Sequence, residues 1–394
     1  MIVVRTPFRL PLGGGGTDLP SYYCKYGGFL ITAAINKYMF INLNVPAIFD
    51  RVRINYSRTE TVKVDEIDTI HHDIVRESLK HVKLNHPLEI SSMADLSAGT
   101  GMGSSSSYTV GLLRALNAMM RRQMETQELA EEACKIEIDL IGKPIGKQDQ
   151  YAAAFGGIIQ LDIDQLGKVT VTPLHLDNEI IYELENRLMM FYTDIERDAN
   201  EILGEQSRKI RDGGESGRGG MGGRGDGGTG RWGDGEMGGK GDVGTRRNGD
   251  GEEGRGEFRE SASGYELYTE AATATRQLTA VEAMHKIKEI GYQSRDALMA
   301  GDVCAFGRLL HEHWLTKKQV SNKMSNREID SWYELAIANG ALGGKVMGAG
   351  GGGFMLFCVE NGARKHLRKT LESVGLKYMD FRFDWEGSKT LVDI

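Results

Sequence analysis

The sequence predicts a mixed α and β protein of two lobes with one irregular segment, and three observations carry that expectation. At 394 residues the chain is too long for one small core, because compact domains run roughly 100–200 residues. Strand-like and helix-like periodicities alternate along it. Composition breaks sharply once: between Asp212 and Gly264, 22 of 53 residues are Gly, eleven are acidic and eight basic.

Taken in order, Met1 to Pro11 reads as a strand, Gly28 to Val45 is strand-rich in β-branched and aromatic residues, and Val52 to Val64 alternates as strands do. Apolar residues spaced at three and four then predict helices over Ile74 to Leu84, Ser105 to Arg122 and Thr126 to Leu140. Gly157 to Leu161 and Lys168 to Leu174 return to strand. Beyond the Gly-rich stretch, Leu278 to Ala300, Val303 to Trp314 and Glu328 to Asn339 are helical, and Phe354 to Val359 is a short buried strand. The stretch 212–264 cannot bury enough apolar surface to offset its ordering entropy, so it reads as a disordered insertion. Its Arg-Gly patterns suit RNA, but mixed charge and only Trp232 and Phe258 as aromatics disfavour that use.

Hydrophobic residues make up 40% and charged residues 26%, which excludes fibrous, membrane-embedded and wholly disordered classes. A net charge of −7 argues against nucleic-acid and anionic-membrane partners while leaving an anionic small substrate open. Cys24, Cys134, Cys304 and Cys358 lie far apart without CxxC spacing, so neither a disulfide framework nor a zinc knuckle is expected. The apolar run at the start is too short for a signal peptide, and a cytoplasmic location follows as an expectation.

Three glycine-rich loops carry the chemistry. RLPLGGGGTDLP follows an apolar strand; its glycines let backbone approach a ligand, and Thr17 with Asp18 could bond hydroxyls. Ala98 to Ser107, AGTGMGSSSS, leads straight into a helix, so backbone N–H groups and the positive helix end converge on an anion. It is neither GxGxxG nor a Walker A loop. Gly348 to Gly353 turns into the apolar FMLFCV. Any one could be a turn, but three together suggest a large phosphorylated ligand. Glu137, on a helix, and Asp149, in GKPIGKQDQY, could serve as magnesium ligand and base. Read alone, Glu137 sits on a solvated helix face and Arg9 at a strand end. His311-Glu-His313 lacks the i, i+4 geometry of a zinc helix.

The three loops and the Asp149 segment together resemble the GHMP kinases, which include galactokinase, homoserine kinase and mevalonate kinase. TPFRLPLGGGGTD looks like their first motif, AGTGMGSSSS their phosphate loop and KVMGAGGGGF their third motif. The resemblance implies the α+β, two-lobed GHMP kinase fold, with an N-terminal lobe over residues 1–185 and a ferredoxin-like C-terminal lobe over 186–394 interrupted by 212–264. It implies ATP and Mg²⁺ as cofactors. Gly99, Gly101, Gly103, Ser104 and Ser106 would cradle ATP phosphates, Ser105 and Glu137 would hold the metal, and Asp149 with Arg9 would be catalytic. Gly15, Gly16, Thr17, Asp18, Gly348, Gly350 and Gly351 would bind substrate.

Within the family, GGGGTDLPSYY, IGKQDQYAAAFGG, LLHEHWLTKK and GGKVMGAGGGGFMLF look most like the bacterial kinases that phosphorylate D-glycero-D-manno-heptose 7-phosphate at its anomeric position. Galactokinase-like members carry Gly-Glu-His-Thr-Asp where this chain has Gly14-Gly15-Gly16-Thr17-Asp18. The exchange removes two bulky polar groups and makes room for a longer, phosphorylated sugar, whose phosphate needs cations; Lys147, Arg197 and Lys317 are the candidates. The expected partner is thus a small-molecule sugar phosphate, with a homodimer left open. Another GHMP kinase, of fucose, galactose or mevalonate type, and a catalytically silent sugar-binding regulator are the rival readings.

Overall fold

The longest strands set the frame: β1 (Ile2–Gly13) and β2 (Gly28–Asn44) pair antiparallel and form the spine of one sheet. A computed structural model describes the backbone of residues 1–195, 199–213, 278–321 and 323–394. Arg197 and all but the first two residues of 212–264 lie outside the described residues. Prolines at positions 7 and 11 cannot donate to the ladder, and the β1–β2 register shifts beside each, between Pro7 and Phe8 and between Pro11 and Gly13. The stretch Val52 to Val64, expected as strand throughout, folds back as a hairpin of β3 (Arg51–Asn55) and β4 (Thr59–Lys63). With β5 (Leu88–Ala94), β6 (Ile158–Ile163), β7 (Val169–Pro173) and a late strand they complete eight strands, in the order β12-β1-β2-β5-β3-β4 with β6 and β7 branching from the first half of β2.

That late strand corrects the expected division at residue 186. Lys389–Asp393, named β12, hydrogen-bonds to β1, and Phe383 bridges to Ile35. The physical reason is the free edge of β1, whose unpaired backbone groups this segment satisfies.

A second sheet, wholly antiparallel, holds β8 (Leu188–Tyr192), β9 (Ala341–Val346), β10 (Phe354–Val359) and β11 (Lys377–Met379) in the order β11-β8-β10-β9. Its four strands are therefore arranged fourth-first-third-second, the order of a ferredoxin-like sheet. LMMFY and FMLFCV are continuous apolar runs because both faces are covered. Leu188, Met190, Leu356 and Cys358 join the main core, whereas Met189, Phe191, Met355 and Phe357 pack with Trp314 and Tyr333 on the other side.

The helices are α1 (Pro20–Tyr26), α2 (Asp73–His81), α3 (Ser104–Met119), α4 (Thr126–Cys134), α5 (Gln148–Phe155), α6 (Asn178–Arg187), α7 (Ala199–Gly213), α8 (Ala280–Met299), α9 (Val303–Val320), α10 (Arg327–Ala338) and α11 (Arg364–Ser373). The single helix expected over Thr126 to Leu140 divides: after α4 the chain widens into a π-helical turn, Lys135–Leu140, in which Ile141 N–H reaches the Ile136 carbonyl. Such turns insert one residue and re-aim side chains, often at functional sites. No described helix is long and apolar enough to cross a membrane.

Candidate active site

The phosphate loop ends on Gly103, in the left-handed region at φ 80°, and α3 begins at Ser104. Ser107 N–H makes the first backbone bond of the helix, to Gly103. The N–H groups of Ser104, Ser105 and Ser106 therefore have no acceptor within the helix and face an anion at its positive end. Residues 97–99 are exposed. The Ser106 side chain is buried, and Ser107 Oγ donates to the Pro7 carbonyl at 2.9 Å, tying the helix to β1. At Ser106 the group left free to face an anion is therefore the backbone N–H.

Ser105 and Glu137 meet as expected, but not on a solvated helix face. Glu137, in the π-helical turn, is fully buried. It accepts from Ser105 Oγ, from Gln150 Nε2 at 2.8 Å and from Lys143 Nζ at 3.3 Å; Lys143 also lies 2.8 Å from Ser105 Oγ. A buried carboxylate needs a cation, and the Lys143 ammonium supplies one. One carboxylate and one hydroxyl are hard oxygen donors that suit Mg²⁺, which takes few protein ligands when it also holds phosphates. No cluster of three His, Cys, Asp or Glu able to hold a metal occurs among the described residues.

Arg9 and Asp149 form the centre of the site. Arg9 is 5% exposed, so the strand-end reading gives way to a buried one. Its Nε and Nη2 donate to the two oxygens of Asp149 at 2.6 and 2.9 Å, while Nη1 reaches the Gly101 carbonyl at 2.6 Å. Asp149 is the second residue of α5. A Cβ at Gly103 would fall 3.0 Å from Asp149 Oδ2, so the glycine lets the phosphate loop touch the carboxylate.

The first glycine loop divides its labour. Gly15 and Gly16 line a cleft with Arg9, Gln148 and Asp149. Thr17 does not line it: the side chain is fully buried and its hydroxyl bonds the Gly14 and Phe29 carbonyls, both at 2.8 Å. Its expected role in binding substrate is thereby replaced by holding the loop to β2. Asp18 borders the cleft but accepts from Gly16 N–H at 3.1 Å and Gln148 N–H at 3.0 Å, clamping the loop to α5. Burial raises its carboxyl above the ordinary value; the Gln148 N–H pulls the other way and the nearby Asp149 charge adds to the rise.

The third loop packs on the phosphate loop. A Cβ on Gly348 would meet the Gly101 carbonyl at 2.7 Å, and one on Gly353, at φ 80°, would meet the Thr100 carbonyl at 2.3 Å. Gly348 lines the cleft, whereas Gly350 packs on Met324 and Gly351 N–H bonds the Met324 carbonyl at 2.8 Å. The last two glycines shape the turn and do not reach the cleft.

Of the expected phosphate contacts, Lys147 is turned away, bound to Glu131 at 2.9 Å and the Gly167 carbonyl at 2.6 Å. Lys317 borders the cleft and donates to the Gly348 carbonyl at 2.8 Å. Beside it stand two residues that sequence reasoning missed, His313 and Lys345. The signal for Lys345 was present: a lone lysine between GG and VM in an apolar strand.

Residues 71–157 match the GHMP kinases N terminal domain and residues 294–374 the GHMP kinases C terminal domain. The D-glycero-alpha-D-manno-heptose 7-phosphate kinase of Campylobacter jejuni is 30% identical, over 99% of this chain and 98% of its own. The galactokinase of Pyrococcus furiosus is 25% identical, over 99% and 97%. Among solved structures, a D-glycero-D-manno-heptose 1-phosphate kinase from Bacteriodes thetaiotaomicron superposes with a TM-score of 0.67 at 24% identity, covering 100% of this chain and 99% of that one. The Lactococcus lactis galactokinase complexed with galactose gives 0.67 at 19%, covering 100% and 95%. At those identities the two structures speak for the fold.

Two stability predictions follow from this geometry. Arg9→Met strips three charge-assisted hydrogen bonds from a nearly buried site and should cost about 2 kcal/mol or more in urea unfolding. Gly353→Ala, strained in φ and driven into Thr100, should cost about 1–3 kcal/mol and weaken nucleotide binding by shifting the phosphate loop, as read by titration with an ATP analogue.

Proposed function

We propose, from the premise that this chain belongs to the GHMP kinase family, that it transfers the γ-phosphoryl group of ATP to the anomeric hydroxyl of D-glycero-D-manno-heptose 7-phosphate, giving the 1,7-bisphosphate. The observation that carries the reading is the Arg9–Asp149 pair, bordering both the phosphate loop and a cleft with buried cations. The Campylobacter jejuni relative supports the choice of sugar. Gly15 and Gly16 leave the cleft open where larger side chains would crowd a seven-carbon acceptor.

Phosphoryl transfer of this kind proceeds through a loose transition state, so the protein mainly positions the reactants and stabilises charge. Asp149 accepts a hydrogen bond from the anomeric hydroxyl, aims its oxygen at the γ-phosphorus and takes its proton as the new P–O bond forms. Arg9 holds the carboxylate by both oxygens, fixing its plane. The N–H groups at the start of α3 meet the negative charge on the transferred group. Glu137 and Ser105 would hold a magnesium ion, which would neutralise charge on the phosphates of ATP; Lys143 Nζ also lies 4.0 Å from the Asp73 carboxylate. A reaction fed by ATP suits the cytoplasm.

The decisive assay measures ATP consumption with Mg²⁺ across heptose 7-phosphate, unphosphorylated heptose, mannose, fucose, galactose and mevalonate. Turnover should be confined to the heptose phosphate, and Asp149→Asn should lower kcat by about 10²–10⁴ while an ATP analogue still binds. Preference for another acceptor would replace the substrate, near-normal turnover by Asp149→Asn would remove Asp149 from the chemistry, and binding without turnover would favour a silent sugar-binding regulator.

A further inference from the structure

The cleft that Asp149 borders is also lined by groups that stable interiors avoid. Lys317 and His313 lie one turn apart on α9, so they share a face. Lys345, on β9, is two residues from Gly343, whose missing side chain leaves room for α9 at Gly307 and His311; alternation along the strand therefore turns Lys345 toward α9 as well. Relative exposures are 1% for His313, 7% for Lys317 and 2% for Lys345, and all three line the cleft.

Their polar atoms are short of partners. Both ring nitrogens of His313, and Nε2 of Gln148 across the cleft, make no hydrogen bond. Lys345 Nζ has neither a hydrogen bond nor an ion pair among the described residues, and Lys317 has only the Gly348 carbonyl. The two nearby carboxylates do not answer the lysines. Asp149 gives both oxygens to Arg9, and Asp18 gives both to backbone N–H groups. Two buried ammonium groups beside a guanidinium, with no free anion, constitute an incomplete site.

We propose that Lys317, Lys345 and His313 form the subsite for the acceptor's own phosphate, a dianion bound in the cleft that Asp149 also lines. The inference rests on the kinase reading above and deepens it, because it names the groups that select a phosphorylated sugar over a free one. Two ammonium groups and one imidazole supply the charge and donors that a terminal phosphate needs. Gln148 Nε2 is left for a hydroxyl nearer the reacting end.

The titration of the cluster supports the assignment. Burial, the neighbouring Lys317 and Arg9 push the Lys345 ammonium well below its ordinary value, and burial with Arg9 pushes Lys317 down to about 8, with Asp18 acting against the fall. Burial, Lys345 and Lys317 keep His313 neutral. The charged groups facing the cluster are Arg9 from β1, Asp18 from the first glycine loop and Asp149 from α5. In the empty site both lysines are depressed, so a bound dianion raises them and draws in protons. Heptose 7-phosphate binding at pH 8 should therefore show net proton uptake, seen as a buffer-dependent heat in calorimetry.

The test compares the wild-type protein with Lys345→Met and Lys317→Met, each near-isosteric and uncharged. The ratio of kcat/KM for heptose 7-phosphate to that for unphosphorylated heptose should fall by about 30-fold or more in each. Calorimetric affinity for heptose 7-phosphate should fall in parallel and the proton uptake should shrink. The melting temperature of ligand-free Lys345→Met should rise, because an unpaired buried charge is gone. An unchanged ratio and affinity in both variants would overturn the subsite; so would a lowered melting temperature with equal losses for both sugars, which marks a structural lysine. If the wild-type protein turns over neither heptose, the kinase reading fails, while binding of heptose 7-phosphate or inorganic phosphate that is lost in the variants still upholds an anion subsite, and binding that survives them removes it.

Discussion

The bidentate contact between Arg9 and Asp149 is the constraint on which the rest of the site is arranged. It joins the middle of β1 to the first turn of α5, and the third arm of the guanidinium reaches the carbonyl of Gly101 in the phosphate loop. One side chain thus fixes three segments that are remote in sequence. The geometry explains the residues around it. Gly103 must lack a side chain because Asp149 lies against it, and Gly348 because the Gly101 carbonyl does. The glycine loops serve close approach between backbones as much as close approach to a ligand.

Electrostatics gives the site two groups of cations besides this pair. On the donor side, the start of α3 and Lys143 face Glu137 and Ser105; on the acceptor side, Lys317 and Lys345 face the cleft. The donor-side charge is balanced by a buried carboxylate, and the acceptor-side charge is not. An unbalanced buried charge costs stability in the ligand-free protein, and selection tolerates such a cost where binding recovers it.

Much of this was legible in the sequence, for identifiable reasons. The phosphate loop was legible because a glycine run at a helix start announces backbone that must come close to something, Asp149 because it stands in a Pro- and Gly-punctuated segment, and Arg9 only through resemblance. Glu137 was legible as a candidate metal ligand, but its burial was not. Its helical spacing reads as a solvated face, and the π-helical turn that buries it leaves no mark in apolar periodicity. Thr17 shows what the sequence leaves open: a hydroxyl beside a glycine loop serves equally well to bond the loop's own backbone, and here it does. The doubly covered strands β8 and β10 were half visible, β10 from its apolar run and β8 hidden behind the charged end of α6. Lys345 stood in plain view, but period-two reasoning counts a lysine in a buried strand as a fault when it can be a site.

The two cationic regions have a consequence for how a phosphorylated acceptor is used. A sugar phosphate entering an ATP site brings a second polyanion toward the first, and at a few ångströms in a low dielectric their repulsion would work against the approach of the hydroxyl. Binding the acceptor's phosphate beside Lys317 and Lys345 offsets that repulsion with countercharge and leaves the hydroxyl end of the sugar for Asp149. Arg9 already gives three of its five N–H donors to Asp149 and Gly101, so much of its charge is spent on them. Orientation is then imposed by where positive charge is left unspent, and choice of substrate and choice of hydroxyl become two effects of one electrostatic arrangement.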